Sequence, residues 1–137
     1  KNKVNVNSII LLQPTSPIRD VSELNSAINF FKKKNLKSLF STCCMRESPY
    51  ECIELSNNLN SWKYLKSPSK KMKRRQDYSK KFGFIDGSFY ISNVDFLRKK
   101  KSFIVKGISN FFLLGNNYKV DIDEKFDLFI AEKILNN

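Results

Sequence analysis

There is no histidine in the sequence. That excludes a His-containing metal site and any nucleophile–histidine triad. Cysteine is nearly as scarce: Cys43, Cys44 and Cys52 form an odd set whose spacing fits no zinc pattern. They are expected to be buried, reduced thiols on a strand. The four glycines, Gly83, Gly87, Gly107 and Gly115, are scattered through the later half, so no glycine-rich loop is present to cradle a triphosphate. Long apolar runs are absent too. Ile9 to Leu12 and Phe111 to Leu114 are far too short to cross a bilayer, and no secretory h-region opens the chain. These absences point to a soluble, cytoplasmic protein with no membrane partner. Acidic residues are the scarcer charge, 13 against 25 basic, for a net charge of +12.

What remains is ordinary globular material. The 137 residues are one domain's worth, with 41% hydrophobic and 28% charged residues, enough for a core. Twelve Phe, five Tyr and one Trp argue against disorder. The excess positive charge is concentrated: Lys63 to Lys81 holds nine basic residues and one acid, Asp77, a net +8. Such a field attracts phosphates, on a nucleotide, a nucleic acid or a membrane surface. A solvated lysine-rich loop is the commoner meaning of such a run. Arg74 and Arg75 stand apart because a guanidinium fork suits phosphate and carboxylate better than an ammonium does.

Periodicity gives the organisation. Ser8 to Gln13 reads as a buried strand closed by Pro14, with Pro14 and Pro17 bracketing a turn at Thr15 and Ser16. Asp20 and Glu23 have capping-box spacing, and Leu24, Ala27, Ile28 and Phe31 follow the stripe of an amphipathic helix ending in Lys32 to Lys34. Ser38 to Cys44 reads as the next strand. Strand, helix, strand predicts a βαβ unit and a mostly parallel sheet. Residues 47–82 read as a small basic β excursion, with a hairpin of Glu51 to Leu55 and Ser61 to Leu65. Gly87 to Ser92 alternates as a strand, with Phe89 and Ile91 on one face. Asn93 is placed to cap a short helix through Arg98. Asn110 to Leu114 is a late strand, and Lys119 to Asp123 a short extended piece. Glu124 to Leu135 is a final helix with Phe126, Phe129, Ile130 and Ile134 on its stripe.

Three constellations carry chemistry. Asp121 and Asp123 lie two apart on an extended segment, so their carboxylates share a face and repel unless a cation sits between them. Mg²⁺ suits such oxygens. Taken alone, Asp123 is more often a helix cap than a metal ligand. In Leu11-Leu12-Gln13-Pro14-Thr15-Ser16-Pro17 a strand ends in polar side chains, at the end where open α/β sheets bind ligands. Taken alone, it is more often a structural turn after a buried strand. The third is Arg74-Arg75-Gln76-Asp77 followed by Gly87-Ser88-Phe89-Tyr90-Ile91.

In this order, LLQPTSPIR, RRQD, DGSFYI and VDIDEKFDL resemble the acylneuraminate cytidylyltransferase family, which includes the CMP-sialic acid synthetases, over nearly the whole chain from Ile9 to Leu135. The resemblance implies an α/β, Rossmann-like sheet of the nucleotide-diphospho-sugar transferase type. It implies transfer of CMP from CTP to an acidic nine-carbon (nonulosonic) sugar with release of pyrophosphate. Asp121 and Asp123 would hold the catalytic Mg²⁺, and Arg75 would meet negative charge with Gln76 in support. Gln13 would contact the sugar, Thr15 and Ser16 would shape the strand end, and Tyr90 and Phe103 would line the pocket. The family is commonly homodimeric, with the excursion reaching the partner's site.

Three departures stand out. Family members open on a strand and a glycine- and lysine-rich phosphate loop that nothing in these 137 residues matches, so the expectation is an incomplete fold that binds CTP poorly by itself. Asp86 stands where an asparagine is usual, and Glu51 where a lysine often follows the Ser48-Pro49 element. A basic nucleic-acid-binding module, resting on the +8 stretch with Trp62, Tyr64 and Tyr78, is the rival reading; a non-catalytic remnant is the third.

Overall fold

In the computed structural model, residues 5–45, 47–57, 60–67, 82–115 and 120–136 are described. Arg75 and Gln76 lie outside them. The chain divides into two compact units, Lys1–Cys43 with Ile85–Asn137, and Cys44–Phe84.

The larger unit is built on a sheet of four strands, β1 (Ser8–Leu11), β2 (Ser38–Cys44), β5 (Gly83–Asn93) and β6 (Asn110–Leu113), in the order β1-β5-β2-β6. β1 runs antiparallel to β5, with Leu11 opposite Tyr90. β5 is also antiparallel to β2, since Asn93 N–H donates to Lys37 O at 2.9 Å while Met45 N–H donates to Phe82 O at 3.1 Å. Among the described strands, β2 and β6 are the one neighbouring pair that runs parallel. The expectation of a mostly parallel sheet is therefore corrected: the fold is α/β, but the sheet is mixed and mostly antiparallel. β1 and β2 do point the same way, because each opposes β5, yet β5 is inserted between them. A hydrophobic period of two identifies strands and says nothing about their order.

One helix covers this sheet's core face. In α1 (Val21–Lys33), Ala27 and Phe31 are buried against Leu39, Phe89, Ile91 and Leu114, with Leu24, Ile28 and Phe112 at the margin. Asp20 caps α1 by accepting from Ser22 and Glu23 N–H. Glu23 does not complete the capping box; its carboxylate accepts from Gly115 N–H, tying α1 to the end of β6. Leu39 is fully buried. Leu39→Ala is expected to lower unfolding free energy by about 3 kcal/mol, measured by urea denaturation, because the lost contacts leave a cavity.

Small buried hydroxyls lie on both faces of β2, Ser41 on the Leu39 face and Ser38 and Thr42 on the other. Ser41 Oγ accepts from Phe89 N–H at 3.1 Å and Ser38 Oγ meets Ser109 Oγ at 2.6 Å, so these buried polar atoms are satisfied. α2 (Val94–Lys100) is capped by Asn93, which accepts from Asp95 and Phe96 N–H.

The final helix, α3 (Lys125–Leu135), turns a different face inward from the one its aromatics indicate. Phe126 and Phe129 are 66% and 52% exposed, whereas Ala131 is buried and Asp127, Ile130 and Ile134 are half-buried. Residues 127, 130, 131 and 134 form a helical stripe that shares Ile130 and Ile134 with the expected one. Alanine, with no bulk beyond Cβ, sits at its centre. Residues 120–123 precede α3 and belong to no strand; Lys119 of the expected extended piece lies outside the described residues.

The second unit carries a hairpin, β3 (Ile53–Leu55) and β4 (Trp62–Tyr64), paired antiparallel. Ile53, Leu55, Trp62 and Tyr64 lie on one face, all exposed; Glu54 and Lys63 pair at 3.0 Å on the other. Nearby, Tyr50 packs edge-on against Phe82, with Lys66 Nζ 4.9 Å from the Phe82 ring centre. The cysteines are free thiols, as expected, and Cys43 and Cys44 lie on β2. Burial departs from expectation, since Cys43 and Cys52 are half-buried and Cys44, at the last residue of β2, is exposed. No helix among the described residues is long and apolar enough to cross a membrane.

Candidate active site at the end of β1

The site forms where β1 runs out. After Leu11 the chain turns through Pro14, and Ser16 N–H donates to Gln13 O at 3.2 Å, closing the turn. The prolines fix the backbone here, so the polar side chains of Gln13, Thr15 and Ser16 are held at the strand end.

Ser16 is the hub. It is buried, and its Oγ lies 3.3 Å from Asp121 Oδ1 and 3.4 Å from Asp86 O. Beside it, Ile122 N–H donates to Thr15 O at 2.7 Å. These two contacts join segments more than a hundred residues apart, so Asp121 is held at the end of β1 by main chain and side chain together. Asp121 is exposed.

Asp123 lies at the start of α3. Its N–H, with that of Glu124, donates to Asp127 Oδ2, at 3.1 and 2.9 Å. The N-cap is Glu124, so Asp123 does not take the capping role that its position suggested. The residue is exposed.

Gly87 forms the floor. Its φ is +74°, a conformation that side-chain-bearing residues rarely adopt. A Cβ there would collide with Gln13 Oε1 and come within 3.2 Å of Ser16 Oγ. Gln13 therefore lies directly over the β5 backbone. Next to it, Asp86 is buried and accepts from Ser88 Oγ at 2.7 Å.

Tyr90 and Phe103 sit together, ring centres 5.8 Å apart. Burial pushes the Tyr90 phenol above its ordinary range, and the carboxylates of Asp86 and Asp121 push the same way. The phenol stays protonated and keeps its O–H as a donor. Thus Gln13, Thr15, Ser16, Tyr90 and Asp121 share one end of the sheet, with Phe103 against Tyr90. Arg75 and Gln76 lie outside the described residues.

Sequence reasoning gave no role to Arg19, although it closes the LLQPTSPIR motif. Its Nε–H donates to Ser88 O at 2.8 Å, and Nη2 donates to Gln13 O. Burial lowers the guanidinium pKa, partly countered by Asp86. Arginine's spacing from Gln13 carried no periodic signal that could have revealed this. Among the described residues, no three His, Cys, Asp or Glu side chains cluster to hold a metal. Compared with models of known protein families, the chain matches none.

Proposed function

We propose that this chain carries the sugar-binding and metal-binding part of a cytidylyltransferase that transfers CMP from CTP to a nonulosonic acid, in a nucleotide-diphospho-sugar transferase type of fold. The observation that carries the reading is the Ser16–Asp121 contact at 3.3 Å, which sets the acidic segment beside the LLQPTSP turn. It supports reading the LLQPTSP turn and the Asp121 segment as parts of one site.

The donor chemistry fits magnesium. Asp121 and Asp123 are both exposed, and Mg²⁺ is commonly held by one or two carboxylates plus substrate phosphates. When bound, the ion would supply charge neutralisation at the phosphates. The remaining roles belong to side chains. Gln13 offers an amide N–H₂ and a carbonyl to the sugar's polar groups. Ser16 orients the Asp121 carboxylate. Tyr90, neutral and backed by Phe103, gives the pocket an apolar wall with one hydroxyl donor. Arg75, with Gln76, is assigned to negative charge on the substrates, in a homodimer serving the neighbouring site.

Phosphate-cradling backbone is the part these residues do not supply. The complete open reading frame encoding this chain, incubated with CTP, Mg²⁺ and a panel of nonulosonic acids, is expected to release pyrophosphate and form a CMP-sugar. Failure of every acid in the panel to elicit pyrophosphate release, from folded protein that binds CTP, would reject the reading.

A further inference from the structure

β1 and β5 part company at a defined place. Leu11 is the last residue of β1 in the ladder, paired with Tyr90. Continuing that register by two residues on each strand would set Gln13 opposite Ser88. The carbonyls of those two residues instead accept N–H bonds from one guanidinium, Arg19 Nη2 to Gln13 O and Arg19 Nε to Ser88 O at 2.8 Å. Arginine is suited to this because its donors are fixed in one plane, so both carbonyls are held at a set spacing. A lysine ammonium is a point donor on a flexible stem and sets no such spacing.

The consequence falls on Gln13. Its main chain is gripped by Arg19 and by Ser16 N–H, while its side chain rests against Gly87, the residue before Ser88. Both surfaces that orient Gln13 are therefore tied to the same guanidinium. Asp86, next in line on β5, supplies the compensating negative charge to Arg19.

Resting on the cytidylyltransferase reading for what Gln13 touches, we propose that Arg19 is a positioning residue: it replaces the ladder where β1 and β5 separate, and so presents the Gln13 amide to the sugar. It does not itself contact substrate. Its contribution is to orientation, and small misplacements of a substrate-facing group are costly.

The test uses ¹⁵N-labelled full-length protein. In the wild type, the Arg19 Nε–H is expected to exchange with solvent far more slowly than that of exposed Arg98. The Gln13 side-chain amide pair, assigned by its loss in Gln13→Met, is expected to shift in Arg19→Lys. The variant's KM for the sugar should rise about tenfold while its KM for CTP is unchanged, as expected when one orienting charge-assisted bond is lost. An Arg19 Nε–H exchanging as fast as that of Arg98 overturns the clamp, even if Arg19→Lys fails to fold. So does a Gln13 amide unmoved in folded Arg19→Lys. A protected Nε–H and a shifted Gln13 amide in a protein that turns over no sugar would support the clamp and reject the enzymatic reading.

Discussion

Gly87→Ala is expected to raise the KM for the sugar on the order of 100-fold, the scale of loss when a substrate-facing group is displaced by about an ångström. Two effects combine. At φ +74°, alanine is strained, which costs about 1 kcal/mol or more of folding stability. The new methyl also displaces Gln13 Oε1 from the surface it rests on and crowds Ser16 Oγ. Gly107 provides the control. Its φ is +79°, yet a Cβ there would meet nothing within 4 Å. Gly107→Ala should show a comparable drop in thermal midpoint with unchanged sugar KM. Steady-state kinetics and thermal melts of the two variants separate strain from displacement. Equal sugar KM values in both would show that the Gln13 contact does not matter.

Asp121→Asn should cut turnover by roughly a thousandfold, in line with loss of an ionic group at a phosphoryl-transfer centre. Stability should hardly change. The residue is exposed, and an asparagine Oδ1 can still accept from Ser16 Oγ. Asp123→Asn should behave alike in stability, because α3 is capped by Glu124 and closed by Asp127 without help from the Asp123 carboxylate. Circular dichroism and single-turnover rates check both. Wild-type turnover in Asp121→Asn would remove the metal assignment.

Much of the local structure was legible. The stripe of α1, the Asn93 cap and the bounds of β2 follow from the 3.6 and 2.0 periods and from residues that cap helices. The hairpin was legible as two strand-like pieces across a turn, although its strands are shorter, Ile53–Leu55 and Trp62–Tyr64, and its register was not. What periodicity could not supply was strand order. β5 lies between β1 and β2 because of long-range pairing that no local window records. Nor could it choose between two overlapping stripes on α3, where small Ala131 wins the interior over Phe126 and Phe129. At the site, Gln13, Ser16 and Asp121 were singled out through motif order rather than through any period. Arg19 escaped because a guanidinium serving main-chain carbonyls leaves no pattern in sequence. Asp86 carries no pattern of its own in the sequence; in the structure it is the buried carboxylate whose charge acts on Arg19 and Tyr90.

A manganese titration followed by ¹⁵N NMR bears most directly on the metal. Mn²⁺ broadens nearby resonances through its unpaired electrons. If Asp121 and Asp123 grip a divalent ion beside the β1 turn, substoichiometric Mn²⁺ should first broaden the amides of Ile122, Asp123, Thr15 and Ser16 and the Gln13 side chain, and excess Mg²⁺ should restore them. Broadening centred elsewhere, or the same pattern in Asp121→Asn, would contradict it.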